Sequence, residues 1–287
     1  MVRVGRMGVL GPQGTHSEAA AQYLNGMLEM PCTLTEYGEI FEVLEAVSRG
    51  EIEAALVPVE NSLEGAVNIT LDVLARSDEL QVLRELVWPV HNQLMAKPDC
   101  GEVQRIYSHP QPISQCQAYL RKHYPRAEVV KTASTARAAE LVAEEPASSG
   151  WAAVCTKRAG ELHGLVAIAE EIQDTAENCT RFFLVGRRDS NLLPSRQDKV
   201  LIICQIDGKR AGSLCGVLEE FARRSVNMTR IESRPARTGL GEYIFFFDLE
   251  TDMGEERLLD SIAAVREKCI WLRNLGAFPV INACQLP

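Results

Sequence analysis

From residue 6 to residue 186, short apolar runs alternate with stretches of helical spacing, the pattern of an α/β fold. Strands are predicted over 6–10, 34–37, 54–58, 105–108, 152–155 and 182–186, and residues 85–95 read as one extended apolar segment. Helices are predicted over 17–27, 40–48, 113–123 and 135–143. The pattern dissolves in RRDSNLLPSRQD, residues 187–198, which is polar and carries a proline, as a linker does. It restarts with a strand at 200–206, a helix at 214–224, strands at 228–233 and 243–249, a helix at 258–267 and a strand at 270–280. That order is βαββαβ, a ferredoxin-like layout. One helix layer covers only one face of so small a sheet, so side-by-side pairing of two copies is expected.

Composition narrows the function classes. With 287 residues, 46% hydrophobic and 24% charged, the chain suits a catalytic region plus one small domain. A net charge of -9 argues against nucleic acid as a partner. It also means that an anionic ligand would be bound by local donors rather than by a long-range field. Nine cysteines with no CxxC pair and no metal-like spacing read as reduced core residues, and no ligand set for a metal or cofactor appears in the sequence. No apolar run is long enough for a bilayer, and no signal-peptide segment opens the chain, which places it in the cytoplasm as an expectation.

Candidate chemistry collects at four junctions where a buried strand ends in small polar residues and a helix begins. They are GPQGTHS at 11–17, PVENSLEG at 58–65, SHPQP at 108–112 and TAST at 132–135. Ligands in open α/β sheets bind beyond the carboxyl ends of strands, where helix N-termini present free N–H groups. Any one junction alone is an ordinary helix cap; four together predict a cleft for a small carboxylate. GPQGT lacks the Lys-Ser/Thr ending of a nucleotide-binding loop. His109 reads either as a base or as a turn residue. In the segment 174–183, Thr180 and Phe182 share one strand face and Arg181 takes the other.

GPQGTHSEAA, VPVENSLEGAV, SHPQPISQC, STARAAE and NCTRFFLVG occur in the order seen in prephenate dehydratases, and the chain resembles that family over nearly its whole length. The tail resembles an ACT regulatory domain, in GSLCGVL at 212–218 and ESRP at 232–235. The resemblance implies a two-lobed catalytic region similar to type-II periplasmic binding proteins, over 1–188. Lobe one would take about 1–80 and 174–188, and lobe two about 81–173. A linker at 189–198 and an ACT domain at 199–287 would follow. By motif, Thr180 looks like the catalytic hydroxyl, with Asn61, Ser108 and Gln115 as cleft residues. Thr15, Glu60, Ser62, His109, Thr135, Arg181 and Phe182 look like further substrate-binding positions. Gly212, Ser213, Leu214, Leu218, Asn227, Glu232, Ser233, Arg234 and Pro235 look like a phenylalanine site between two ACT domains. His16 stands where the family usually has Phe or Tyr, and Ser213 replaces the usual Ala. No chorismate mutase segment precedes the motifs, as in the single-activity form.

The implied reaction removes a ring hydroxyl and a ring carboxylate from prephenate, giving phenylpyruvate, carbon dioxide and water. Thr180 would hydrogen-bond the departing oxygen or relay a proton to it from Glu60 or His109. Expected partners are prephenate, phenylalanine as effector and a second copy of the chain, as a homodimer or homotetramer; no nucleic acid or membrane is expected. The alternatives are an arogenate dehydratase and a non-catalytic amino-acid-binding regulator.

Overall fold

The computed structural model describes residues 5–28, 31–189, 197–251 and 255–285. The chain opens with β1 (Arg6–Leu10), α1 (His16–Gly26), β2 (Thr33–Tyr37), α2 (Ile40–Ser48), β3 (Ala54–Asn61), β4 (Gly65–Ala66), α3 (Asn68–Arg76) and β5 (Leu80–Pro89). It crosses to a second unit of β6 (Gln93–Ala96), β7 (Arg105–Ser108), α4 (Pro110–Gln115), α5 (Gln117–His123), β8 (Glu128–Lys131), α6 (Thr135–Glu144), β9 (Trp151–Cys155), α7 (Lys157–Leu162) and β10 (Val166–Ala169). Strand β11 (Cys179–Arg187) returns to the first unit. The C-terminal unit holds β12 (Lys199–Gln205), α8 (Ser213–Arg223), β13 (Met228–Pro235), β14 (Tyr243–Glu250), α9 (Glu255–Arg266) and β15 (Trp271–Phe278), and β16 (Val280–Asn282) follows. No helix among the described residues is long and apolar enough to cross a membrane.

Lobe one is a sheet in the order β16-β5-β11-β3-β1-β2, with β4 on β3. Strand β3, AALVPVEN, is buried along most of its length, as a central strand covered on both faces must be. Lobe two is a sheet in the order β10-β6-β9-β7-β8. The segment 85–95 is therefore two strands in two sheets, and the first crossing between lobes falls at residues 90–92 rather than near residue 80. The return strand β11 begins at Cys179 rather than near residue 174. Asp174 still belongs to lobe two, where its carboxylate accepts from the backbone N–H groups of Ala118 and Tyr119 at 3.0 and 3.2 Å. The two crossings run side by side. Val90 N–H donates to Asn178 O at 2.8 Å and Ile172 N–H to Asn92 O at 2.9 Å, the build of a hinge.

Across the cleft the lobes touch. Thr156 Oγ1 donates to Gly14 O at 2.6 Å, and Arg158 spans both carboxylate oxygens of Glu18 at 2.7 and 2.9 Å. Gly14 has φ 86°, and a Cβ there would stand 2.8 Å from Ala159 Cα, so only glycine lets the lobes approach this closely.

The C-terminal sheet, in the order β13-β14-β12-β15, is antiparallel throughout. Its helices cover one face through Val217, Phe221, Ile262 and Val265. The other face is not left for a second copy. Leu201, Ile203, Phe246 and Phe278 share one core with Val57, Val82 and Phe183 of lobe one. Gly276, at φ 135°, rides over β5 where a Cβ would meet Val82 O. Strand β16 then pairs with β5 in the lobe-one sheet, so the expected 199–287 unit ends with β15 as a sheet element. Residues 190–196 of the expected linker lie outside the described residues.

Candidate active site

A cavity of about 320 Å³ lies between the lobes at the carboxyl ends of β1, β3 and β7. A larger hollow, of about 530 Å³, opens on the outside of lobe one beside Phe41, Ile69 and Asp72. It faces none of the strand–helix junctions, whereas the smaller one collects them, and that chemistry decides between the two.

Three helix starts meet the cavity. Thr15 caps α1, its hydroxyl accepting from Glu18 N–H at 3.3 Å. Ser134 caps α6 by accepting from Arg137 N–H at 3.0 Å, and Thr135 follows it into the wall. His109 caps α4, its Nδ1 accepting from Gln111 N–H at 3.4 Å. In the neutral ring that bond leaves Nε2 as the N–H donor. Free backbone donors and positive dipole ends thus converge on one space from both lobes.

The floor comes from the β3–β11 pair, where Thr180 lies opposite Asn61 and Arg181 opposite Glu60. The register then slips, because Phe182 pairs with Pro58 and Val59 is an extra residue. This bulge brings Pro58 and Asn61, three apart, to the same cleft-facing side, where strict alternation would separate them. Asn61 is nearly buried, and its amide is oriented by its partners. Oδ1 accepts from Leu63 and Glu64 N–H at 3.0 and 3.2 Å, while Nδ2 donates to Asn178 Oδ1 at 3.0 Å and to Thr180 Oγ1 at 3.1 Å. Thr180 Oγ1 therefore accepts from Asn61 and keeps its own proton for another acceptor.

Gln115 and Phe182 complete the positions anticipated from sequence that line the cavity. Four others do not line it. Ser108 is fully buried and its hydroxyl donates to Val154 O at 2.6 Å, tying β7 to β9. Ser62 accepts from Cys179 N–H at 3.0 Å and braces the loop before β11. Glu60 and Arg181 point to the opposite face of the sheet, where they bond each other at 2.9 Å. Glu60 also meets Arg230 at 3.0 Å, so it is neither a cleft residue nor a proton source for the cleft.

His16 was noted in the sequence only as an odd packing residue, yet it lines the cavity and its buried Nε2 has no partner within the protein. Burial pushes its imidazole down to about 4, against the opposing effect of the neighbouring Asn92 side chain, so the ring is neutral near pH 7. Gln115 Nε2, in the same wall, is likewise buried without a partner. Orphaned polar atoms at a cavity call for a ligand or water to satisfy them. No lysine or arginine is among the described residues that line the cavity. An anion would be held there by neutral donors and helix ends alone.

The anticipated effector residues divide. Leu214 and Leu218 pack on the core under α8. Gly212 starts that helix at φ 80°, and the Ser213 hydroxyl turns back to Arg210 O at 2.8 Å. Asn227 donates to Glu250 at 2.7 Å. Ser233 and Pro235 lie exposed on the edge strand β13. Glu232 pairs with Arg230 at 3.1 Å, and Arg234 reaches Asp72 and Asn68 on α3 at 3.0 and 2.8 Å. These two face lobe one.

The family described as prephenate dehydratase matches residues 7–190, and the ACT domain matches 203–267. A prephenate dehydratase from Lactococcus lactis subsp. cremoris is 40% identical over 248 residues, covering 86% of this chain and 87% of the relative. The structure of prephenate dehydratase from Arthrobacter aurescens in complex with L-Phe superposes with a TM-score of 0.83 at 35% identity, over 96% of this chain and 90% of that one. A structure described as a quorum-quenching acylase superposes with a TM-score of 0.82 at 25% identity, over 96% of this chain and 98% of that one. The fold therefore does not name the chemistry by itself, and the sequence relatives do. With its catalytic region and its ACT domain both matched, the chain belongs to the prephenate dehydratase family of lyases.

Proposed function

We propose that Thr180 and Asn61 are the reacting pair of this prephenate dehydratase, with the dianionic substrate held by helix N-termini and neutral side chains. The observation that carries the reading is the Asn61 Nδ2 to Thr180 Oγ1 bond at 3.1 Å inside the cavity. It turns the threonine proton toward the substrate, where it hydrogen-bonds the ring hydroxyl as that oxygen departs. The C–C bond to the ring carboxylate breaks, its electron pair enters the ring, and carbon dioxide leaves. The ring hydroxyl leaves with one added proton as water, and the product is phenylpyruvate. His109, whose Nδ1 is engaged by Gln111 N–H, offers its Nε2 side as the relay for that proton. Aromatisation drives the reaction, so the protein's task is to ease the departure of the oxygen. A cation clamped on the ring carboxylate would stabilise the ground state and oppose its loss. A cavity lined without lysine or arginine suits that requirement.

His16, Gln115 and Thr135 are the further substrate contacts in this reading, with His16 acting as a neutral donor. The chain works in the cytoplasm as a homo-oligomer, and phenylalanine binds at the C-terminal unit to alter the rate. Absorbance of phenylpyruvate after addition of prephenate tests the activity, with arogenate assayed in parallel and each run repeated with phenylalanine. Product from prephenate, less from arogenate, and a rate altered by phenylalanine are expected. Turnover of arogenate alone would replace the substrate, and absence of turnover with either would remove the enzyme reading.

A further inference from the structure

On the face of lobe one turned away from the cavity, a buried cluster of charges joins the reacting strands to the C-terminal sheet. Arg181 bonds Glu60 at 2.9 Å, Glu85 at 2.6 Å and Asp248 at 2.6 Å. Arg230 of β13 takes Glu60 at 3.0 Å, and Lys199 of β12 takes Glu85 at 2.9 Å. The Glu85 and Asp248 side chains are each 1% exposed. Charges this buried hold their geometry because breaking one contact strands the others away from water.

The placement matters more than the stability. Arg181 directly follows Thr180, Glu60 directly precedes Asn61, and the Arg181–Glu60 pair flanks the bulge at Val59. That bulge sets the aim of Asn61 toward the cleft, and bulges beside active sites re-aim side chains. The Arg181 guanidinium also lies 5.3 Å from the Phe183 ring centroid, and Phe183 packs on Phe278 of β15 at 5.6 Å. Two residues of the C-terminal unit, Asp248 and Arg230, thus grip the two residues that neighbour the reacting pair.

We propose that Arg181 and Glu60 are positioning residues for Thr180 and Asn61, and that Asp248 and Arg230 are the contacts through which the C-terminal unit changes the rate. A shift of the C-terminal sheet pulls on Arg181 and Glu60, and the bulge converts that pull into a rotation of the Thr180–Asn61 bond. This rests on Thr180 and Asn61 being the reacting pair, which Thr180→Ala tests separately because it leaves the charged face intact.

The test is Asp248→Asn in the full chain, a substitution of equal size that leaves Arg181 two carboxylates. The expected kcat is about 10- to 100-fold lower, the scale of a small misplacement in a reacting group. KM for prephenate stays within about two-fold, as uniform binding is untouched. Phenylalanine still binds by calorimetry but no longer changes kcat. Arg230→Gln, less buried in its consequences, shows the same split more weakly and serves if Asp248→Asn does not fold. The double variant loses less than the product of the two single losses, since both act on one cluster. A lowered melting temperature with wild-type kcat and an intact phenylalanine response would make the cluster mere docking and overturn the proposal. So would a rise in KM alone, or a native chain whose rate phenylalanine leaves unchanged.

Discussion

Where β3 and β11 face the cleft they carry Pro58, Asn61, Thr180 and Phe182, none of them charged; where they face the C-terminal sheet they carry Glu60 and Arg181. In the proposed reading the neutral face handles a dianion, while the charged face holds the C-terminal sheet. This inverts the simplest expectation, in which the arginine beside a catalytic threonine would bind a substrate carboxylate. The difference teaches that full charges are useful here as fixed ties between domains, whose geometry is held by burial. Hydrogen-bond donors and helix dipoles are useful where one carboxylate must be held and another released.

The comparison breaks most sharply at Thr180. Thr180→Ala lowers kcat by about 10²–10⁴-fold with a modest change in KM, the span of a positioned acid–base group. Steady-state kinetics reads it, and near-native turnover would remove Thr180 from the chemistry. Next is Asn61→Asp, which keeps the size of the side chain and changes its polarity. The amide now donates to Thr180 Oγ1 at 3.1 Å. A carboxylate there accepts from Thr180 instead, draws the proton away from the substrate and adds a negative charge beside a dianion. A loss of about 10²-fold in kcat is expected, comparable to removal of one oxyanion-type donor. If Asn61→Asp keeps full turnover, the proton of Thr180 is not the working group.

How far the sequence carried the comparison can be told from these same residues. Alternation alone put Thr180 and Phe182 on one strand face and Arg181 on the other, but what lies against that other face depends on packing between units. The bulge at Val59 leaves no mark in VPVEN, so alternation could not show that Pro58 and Asn61 share the cleft side, and the family likeness put Glu60 in the cleft beside Asn61. The segment 85–95 carries an apolar run on each side, LVW and LM, and a strand buried in either sheet shows that pattern, but the polar trio His91-Asn92-Gln93 between them marks the division at 90–92. The caps at Thr15 and Ser134 were readable because their chemistry is local. Strands β8 and β10 are exposed along most of their length, so no buried apolar run marks them.

The charged face can be sharpened with acid. Burial pushes the Glu85 carboxyl up, but Arg181 and Lys199 outweigh it and hold the group below its ordinary 4.5. A group depressed in the folded state stabilises the fold above its unfolded value, and that contribution is lost as pH falls through the folded value. The melting temperature should therefore drop as pH falls below about 4.5. Glu85→Gln should destabilise by roughly 3–5 kcal/mol at neutral pH, as removal of one partner from a buried pair does. It should also flatten the dependence below pH 4.5. An unchanged acid profile in Glu85→Gln would locate the acid-sensitive contacts elsewhere.

The smallest effect belongs to the neutral face. His16 has a buried, unpartnered Nε2 in the cavity wall, and burial holds its value near 4 rather than 6.5. Being depressed, it too stabilises the fold at neutral pH and ceases to do so as pH falls from 6.5 through about 4. His16→Phe keeps a planar ring but removes the donor. KM for prephenate should rise roughly 2- to 10-fold, the worth of one neutral hydrogen bond, with kcat little changed. Because the native ring is already uncharged, KM of the unsubstituted protein should show no His16-dependent inflection between pH 5.5 and 8. An inflection near 6.5 that disappears in His16→Phe would mean that the imidazole charges in the cleft. The neutral face would then hold a cation after all, and the contrast between the two sides of β3 and β11 would fail at that residue.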